Sequence, residues 1–415
     1  MIDLAEAVAL VERTAAPLPP RRQRLLDALG RTLAAGVVAD GDSPPWDRAM
    51  MDGFAVRNAD FARPGETVEL DVVVDLAAGD VTGLEIRPGT CGRIMTGAPV
   101  PAGAEAVVPV ERAVDGTAGG RAGGRVRLSD PHFRAGQHVA RRAAAFASGR
   151  ELLAPGTVLG AAEIGLAAEA GATHVVATPR VRVAIASTGS ELVPCEASPA
   201  HGQTRNTNGP MLAAAVALLG AEPIPLGLAA DRPEAIRALV AQGLAADVLV
   251  LSGGVSAGDL DLVPGILARC GVEQVFHKVR LKPGKPVWFG VLRRVDGGPA
   301  TLVFGLPGNP ASSLVCFELF VRPAIMILAG AGRDRWYLPR ARAVLGGPAK
   351  AADRPVYLPC RLTHGPSGLV ATPQPWTGSS DLLGLAGAGG FVALPADGRV
   401  HEAGEEVEIV RRDPL

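Results

Sequence analysis

Between residues 181 and 329 the sequence alternates near-continuous apolar runs with stretches of helical length, and this pattern narrows the fold more than any other feature. Val181–Ala186 and Asp247–Leu251 are such runs, with shorter ones at Pro223–Leu226 and Thr301–Gly305. Helical spacing of apolar residues fills the gaps at 210–219, 233–244, 260–270 and 310–329. Strands that stay apolar throughout are buried on both faces. Their alternation with helices predicts a parallel α/β sheet with ligands at the carboxyl ends of its strands.

The flanking regions differ. Leu4, Val8 and Val11 predict an amphipathic helix over 3–14, and a second helix is expected over 19–38. Short β-rich runs follow at Thr67–Val74, Gly92–Met95, Ala106–Val110 and Arg125–Leu128, with a Gly-rich hairpin tip at 115–124. Helical signal returns at 161–170. After Arg333 the pattern is β again, with runs at Arg340–Leu345, Gly368–Thr372, Gly390–Leu394 and Glu406–Val410, and predicts a small barrel or sandwich. A chain of 415 residues fits two to four domains. Its formal net charge of -1 gives no bulk attraction to nucleic acid or an anionic membrane, so anions must be bound locally. No run identified in the sequence reaches a membrane span, and no signal peptide is read at the N-terminus. Five scattered cysteines without a C-x-x-C pair point to reduced thiols in a cytoplasmic protein, not to disulfides or zinc.

Three turns carry the chemistry. Ser252, Gly253 and Gly254 open a Gly-rich turn running to Asp259 directly after the Asp247–Leu251 strand. Such a turn suits phosphate, although it also reads as a plain tight βα turn. Gly305–Ser313 is a second turn of this kind, with Asn309 at the N-cap and Pro310 at the first helical position. Between them lies Lys278–Pro286. The chain holds only four lysines, and Lys278, Lys282 and Lys285 fall within eight residues. A lysine cluster suits an oxyanion, the other reading being a solvated basic turn. Asp52, Glu191, Asp231, Asp259 and Asp261 are the acidic candidates, and carboxylates beside a phosphate site imply Mg²⁺. Asp231-Arg-Pro-Glu234 equally reads as a helix capping box. No Ser-His-Asp or Cys-His arrangement suggests a covalent mechanism.

Six segments in order resemble the molybdopterin molybdotransferase family, known in bacteria as MoeA and in animals as the E domain of gephyrin. They are Trp46–Val56, Arg93–Pro101, Ser187–Leu192, Ser252–Asp259, Leu281–Pro286 and Gly305–Pro310. The resemblance implies a multidomain α/β plus β fold: a helical linker domain (1–42 and 138–178), a β-rich inserted domain (43–137), a central α/β molybdopterin-binding-like domain (179–332) and a C-terminal β-barrel domain (333–415). It implies a homodimer with a cleft shared between subunits, and other molybdenum cofactor enzymes as partners. The implied reaction takes adenylylated molybdopterin and molybdate to molybdenum cofactor and AMP with Mg²⁺. By motif, Asp52, Thr96, Glu191, Asp231 and Asp261 match positions around substrate and metal, with Asp52, Glu191 and Asp261 as metal ligands. Ser252, Gly253, Gly254 and Asp259 match the substrate-binding turn. Lys282, Lys285, Pro286 and Ser312 match the molybdate side, joined by Arg354 and Ser379 from the last domain. The chain departs from the family pattern at Met50, Leu262 and Pro359, and at Ala144 and Ala145, where the family carries a Glu-Asp pair. That loss keeps a non-catalytic, pterin- or partner-binding paralogue as the alternative. The related adenylylation reaction fits less well, because of the additional β domains.

Overall fold

The computed structural model describes residues 1–61, 63, 65–114, 120–255, 262–294, 297–366 and 368–412. Asp259, Asp261 and part of the Gly-rich tract at 115–124 therefore lie outside the described residues.

The predicted first helix forms as α1 (Leu4–Thr14) and buries Ala7 and Val11. The second expected helix does not form. Arg21–Arg24 pairs instead with His174–Ala177, Leu26–Ala28 makes one 3-10 turn, and Val37–Val38 pairs with Glu151–Leu153. Leu25, Ala28, Leu33 and Val37 are buried in this strand-paired segment. Their near-helical spacing misleads, because Gly30 adopts φ +74 and long-range strand pairing takes over. The inserted domain is a five-stranded sheet of β1 (Gly53–Val56), β2 (Val68–Leu76), β3 (Thr90–Ile94), β4 (Ala106–Pro109) and β5 (Arg125–Leu128), in the order β4-β1-β3-β2-β5. The chain then forms α2 (Ala161–Glu169).

The central domain follows as β6 (Arg182–Thr188), α3 (Asn208–Leu218), β7 (Glu222–Ala229), α4 (Pro233–Gly243), β8 (Val248–Ser252), α5 (Val263–Arg269), β9 (Glu273–His277), β10 (Trp288–Leu292), β11 (Thr301–Leu306), α6 (Pro310–Cys316) and α7 (Arg322–Leu328). The strand order is β7-β6-β8-β11-β10-β9. The four strands predicted from apolar runs are parallel, while β10 and β9 add an antiparallel edge that the sequence pattern did not reveal. Alternation explains the apolar runs. Val183 and Ile185 face a core shared with α1, α3, α6 and α7, whereas Ala184 and Ala186 face one shared with α4 and α5. The continuous helical run Pro310–Leu328 is long and apolar enough to cross a membrane, but 89% of its apolar window is buried in this core.

The last domain closes a barrel from β12 (Arg340–Leu345), β13 (Val356–Gly365), β14 (Gly368–Pro373), β15 (Gly390–Leu394) and β16 (Glu406–Arg411), in the order β12-β14-β13-β15-β16.

Candidate functional site

From β6 the chain steps to β7 on one side and then returns to β8 on the other. The carboxyl ends of β6 and β8 therefore form the switch point at which open α/β sheets bind ligands. A cavity of about 510 Å³ opens there, lined by Thr188, Glu191, Asp231, Ser252, Gly253 and Gly254 among others. Ser252 donates to Ser187 Oγ across the buried strand ends (3.0 Å). Gly253 has φ +92, and a Cβ there would lie 2.3 Å from the Thr188 carbonyl, so no larger residue fits. Its own N–H is spent on the Leu306 carbonyl (3.0 Å), so this amide is not among those available to phosphate.

Asp231 does not cap α4: the N-cap residue is Arg232, and no side chain caps the helix. Its carboxylate instead accepts the Ser190 N–H (3.0 Å), while the Ser190 hydroxyl accepts the Asp231 N–H (3.0 Å). This reciprocal pair fixes the loop that presents Glu191. The capping-box reading fails because the helix starts one residue later than the motif requires.

A second cavity of about 470 Å³ adjoins the first across Pro286, Pro307, Gly308 and Asn309. It gathers Lys282, Lys285, Pro286, Ser312, Arg354 and Ser379, the six predicted oxyanion-side residues. The lysines sit on the connection between antiparallel β9 and β10, closed by Lys278 N–H to Val287 O (2.9 Å) and Val279 N–H to Lys285 O (3.0 Å). Both Lys282 and Lys285 are exposed, while the intervening Pro283 and Gly284 are buried. Lys278, third of the cluster, lines neither cavity.

Buried polar atoms without a hydrogen-bond partner concentrate at this crevice. Seven side-chain atoms are of this kind among the described residues. Thr188 Oγ1 and Asn208 Oδ1 belong to the first lobe, and Arg354 Nε and Trp376 Nε1 to the second. Buried groups are normally hydrogen-bonded, so such a concentration marks a region that water or ligand completes. Asn208, Asn309 and Trp376 were missed as site residues. Asn208 ties the lobes by donating to the Gly308 carbonyl (2.7 Å), a contact across 100 residues with no local signature.

Asp52 and Thr96 pair in the inserted domain, where Asp52 Oδ1 accepts both the Thr96 N–H and its hydroxyl (2.7 Å each). The Thr96 amide, its hydroxyl and nearby Arg93 hold the Asp52 carboxyl below its ordinary range. Both residues are exposed and line neither lobe of their own chain. No group of three or more His, Cys, Asp or Glu side chains that could hold a metal is assembled among the described residues. Ala144 and Ala145 are exposed, on a segment where Arg141 pairs with Asp47 and Arg142 with Asp42. A larger groove of about 810 Å³ lies between α1 and the barrel, but it contains none of the predicted residues. Arginines on its wall are already paired, Arg333 with Glu12 (3.0 Å) and Arg340 with Glu408.

The fold and crevice define a multidomain α/β protein with a two-lobed pocket at the switch point of its central sheet. Residues 2–171 match the MoeA N-terminal region (domains I and II), 184–326 a probable molybdopterin binding domain, and 342–411 the MoeA C-terminal region (domain IV). The chain is 34% identical to the molybdopterin molybdenumtransferase of Synechococcus elongatus, over 96% of both chains. It is 33% identical to that of Bacillus subtilis, over 93% of this chain and 88% of the relative. Among solved structures, a molybdopterin biosynthesis MoeA protein from Pyrococcus horikoshii superposes over the full length of both chains with TM-score 0.81 and 30% identity. The chain belongs to the MoeA family.

Proposed function

We propose that the protein is a molybdopterin molybdenumtransferase that inserts molybdate into adenylylated molybdopterin and releases AMP during molybdenum cofactor biosynthesis. The carrying observation is the two-lobed crevice: a lysine-bearing lobe joined to a switch-point lobe, with four buried polar atoms that lack a hydrogen-bond partner on the residues lining them. Molybdate is a tetrahedral dianion, which suits Lys282, Lys285 and Arg354 with Ser312 and Ser379 as neutral donors. The phosphates of the adenylylated pterin suit the switch-point lobe beside Ser252, Gly253 and Gly254. Magnesium belongs to this reading. It commonly takes one or two carboxylates and completes its shell with phosphate oxygens and water, so a cluster of three protein ligands is not required. Glu191 in the lobe fits as one ligand, beside the loop-fixing Asp231; Asp52 and Asp261 are the others proposed. When bound, the cation neutralises charge developing on the phosphates.

Asp52 and Thr96 line neither lobe of their own chain, and we read them as completing the crevice of a second copy in a cytoplasmic homodimer. Light scattering at micromolar protein is expected to give twice the chain mass. At limiting molybdate, mixed Asp52→Asn and Lys282→Ala protomers are expected to release more AMP than either variant alone. The deciding experiment supplies adenylylated molybdopterin, molybdate and Mg²⁺ and measures AMP. No AMP release at any Mg²⁺ concentration would leave the non-catalytic paralogue, consistent with Ala144 and Ala145.

A further inference from the structure

We propose that Asn309 is a positioning residue that fixes the Ser379 hydroxyl as a donor toward an oxyanion in the lysine-bearing lobe. The inference rests on the reading that this lobe receives molybdate. Asn309 occupies the N-cap of α6, yet its side chain makes no capping bond to that helix. Its Nδ2 instead donates to Ser379 Oγ at 2.7 Å, while the Ala311 N–H donates to the Ser379 carbonyl at 3.0 Å. Two hydrogen bonds thus hang a segment of the last domain on the start of α6.

That segment is fixed from its other side as well. The Asp381 carboxylate accepts the Thr377 N–H (3.0 Å), the Thr377 hydroxyl (3.1 Å) and the Gly384 N–H (3.0 Å). Ser379 is therefore held in both main chain and side chain. A hydroxyl has one hydrogen and two acceptor lone pairs. The amide of Asn309 takes one lone pair, so it does not compete for the hydrogen. Lys282, Lys285 and Arg354 line the same lobe and favour an anion. An oxyanion offers acceptors only, so the Ser379 hydrogen is donated to it. Asn309 borders both lobes, so this polarity is set at the partition between them.

The test separates polarity from the mere presence of a side-chain tie. Aspartate has the size and reach of asparagine, but its carboxylate only accepts. In Asn309→Asp it would draw the Ser379 hydrogen away from the lobe and set a negative charge beside it. The full-length protein is titrated with molybdate by calorimetry and in the AMP-release assay, with unfolding midpoints measured in parallel. Ser379→Ala is expected to weaken molybdate about tenfold and Asn309→Ala about fivefold, with the double variant no worse than Ser379→Ala. Asn309→Asp is expected to weaken it about thirtyfold or more at an unchanged midpoint. Should Asn309→Ala lose stability through the lost tie to Ser379, Asn309→Asp, which still reaches the Ser379 hydroxyl as an acceptor, decides. If Asn309→Asp binds molybdate like the unaltered protein, or the two alanine effects multiply, while Lys282→Ala weakens binding, the inference alone is overturned. If Lys282→Ala also leaves binding unchanged, the molybdate reading of the lobe falls with it.

Discussion

Replacing Gly284 with alanine tests whether the lysine turn is held in place from beneath. Gly284 sits between Lys282 and Lys285 at φ +119, and an added Cβ would lie 2.5 Å from Cys316 Sγ and 3.0 Å from Leu281 Cδ2. Cys316 and Leu281 are both fully buried, so neither can swing into solvent. An L-residue at this backbone angle costs about 1–2 kcal/mol, and overpacking a filled core adds about 1–3 kcal/mol. A loss near 3 kcal/mol lowers the unfolding midpoint by about 6–12 °C for a domain of this size. Any relief gained by lifting the turn moves Lys282 and Lys285, so molybdate dependence should weaken as well. Cys316→Ala removes the sulfur that the new methyl meets but leaves the backbone angle unrelieved. The double variant should therefore recover about 1–2 kcal/mol relative to the sum of the single changes. Thermal unfolding and the molybdate dependence of AMP release read both effects. Strict additivity, or a Gly284→Ala protein unchanged in both assays, would refute the account of how this turn is shaped.

Other outcomes follow from the same geometry. Lys282→Ala and Lys285→Ala should each weaken molybdate by about 1.5–3 kcal/mol, the range for a charged hydrogen bond, with little change in unfolding midpoint because both side chains are exposed. Unchanged molybdate dependence in both would leave only a solvated basic turn. Asp52→Asn retains an oxygen to accept from Thr96 and should fold normally, yet lose Mg²⁺-dependent AMP release; normal activity would remove Asp52 from the metal site. In the barrel domain the Arg399 guanidinium, with the Glu402 N–H, holds the Glu405 carboxyl down to about 2. Its folded value lies below its unfolded one, so its stabilisation is complete above the ordinary carboxyl range and fades as pH falls toward 2. Unfolding midpoints measured from pH 7 to 3 should fall less steeply in Arg399→Leu than in the unaltered protein, and equal slopes would count against this pair.

The parts that were legible in the sequence are those whose signal is local. The strands β6, β7, β8 and β11 and helices α3, α4, α6 and α7 follow from hydrophobic period, because burial on two faces writes itself into consecutive residues. The lysine turn stood out through composition, since an arginine-rich chain with four lysines places three of them together. The misreadings have a common cause. Leu25, Ala28, Leu33 and Val37 have nearly helical spacing, but their partners Leu153, Leu159 and Val175 lie more than a hundred residues away and draw the segment into strand pairing. The antiparallel strands β9 and β10 were invisible because such short segments carry no stronger local signature than a loop with apolar residues. Asp231 shows the same limit at the site itself: its motif announces a cap, while its carboxylate is claimed by Ser190, 41 residues earlier. The crevice is assembled by contacts of this kind. Asn208 reaches Gly308, Asn309 reaches Ser379, and His277 reaches the Val255 carbonyl at 2.9 Å beside the Gly-rich turn. Each motif supplies a turn of the right chemistry, but the relation between turns is carried by single side-chain contacts that the motifs do not foretell. Substitutions at Asn208 and His277 should therefore alter binding in the crevice while leaving every motif intact.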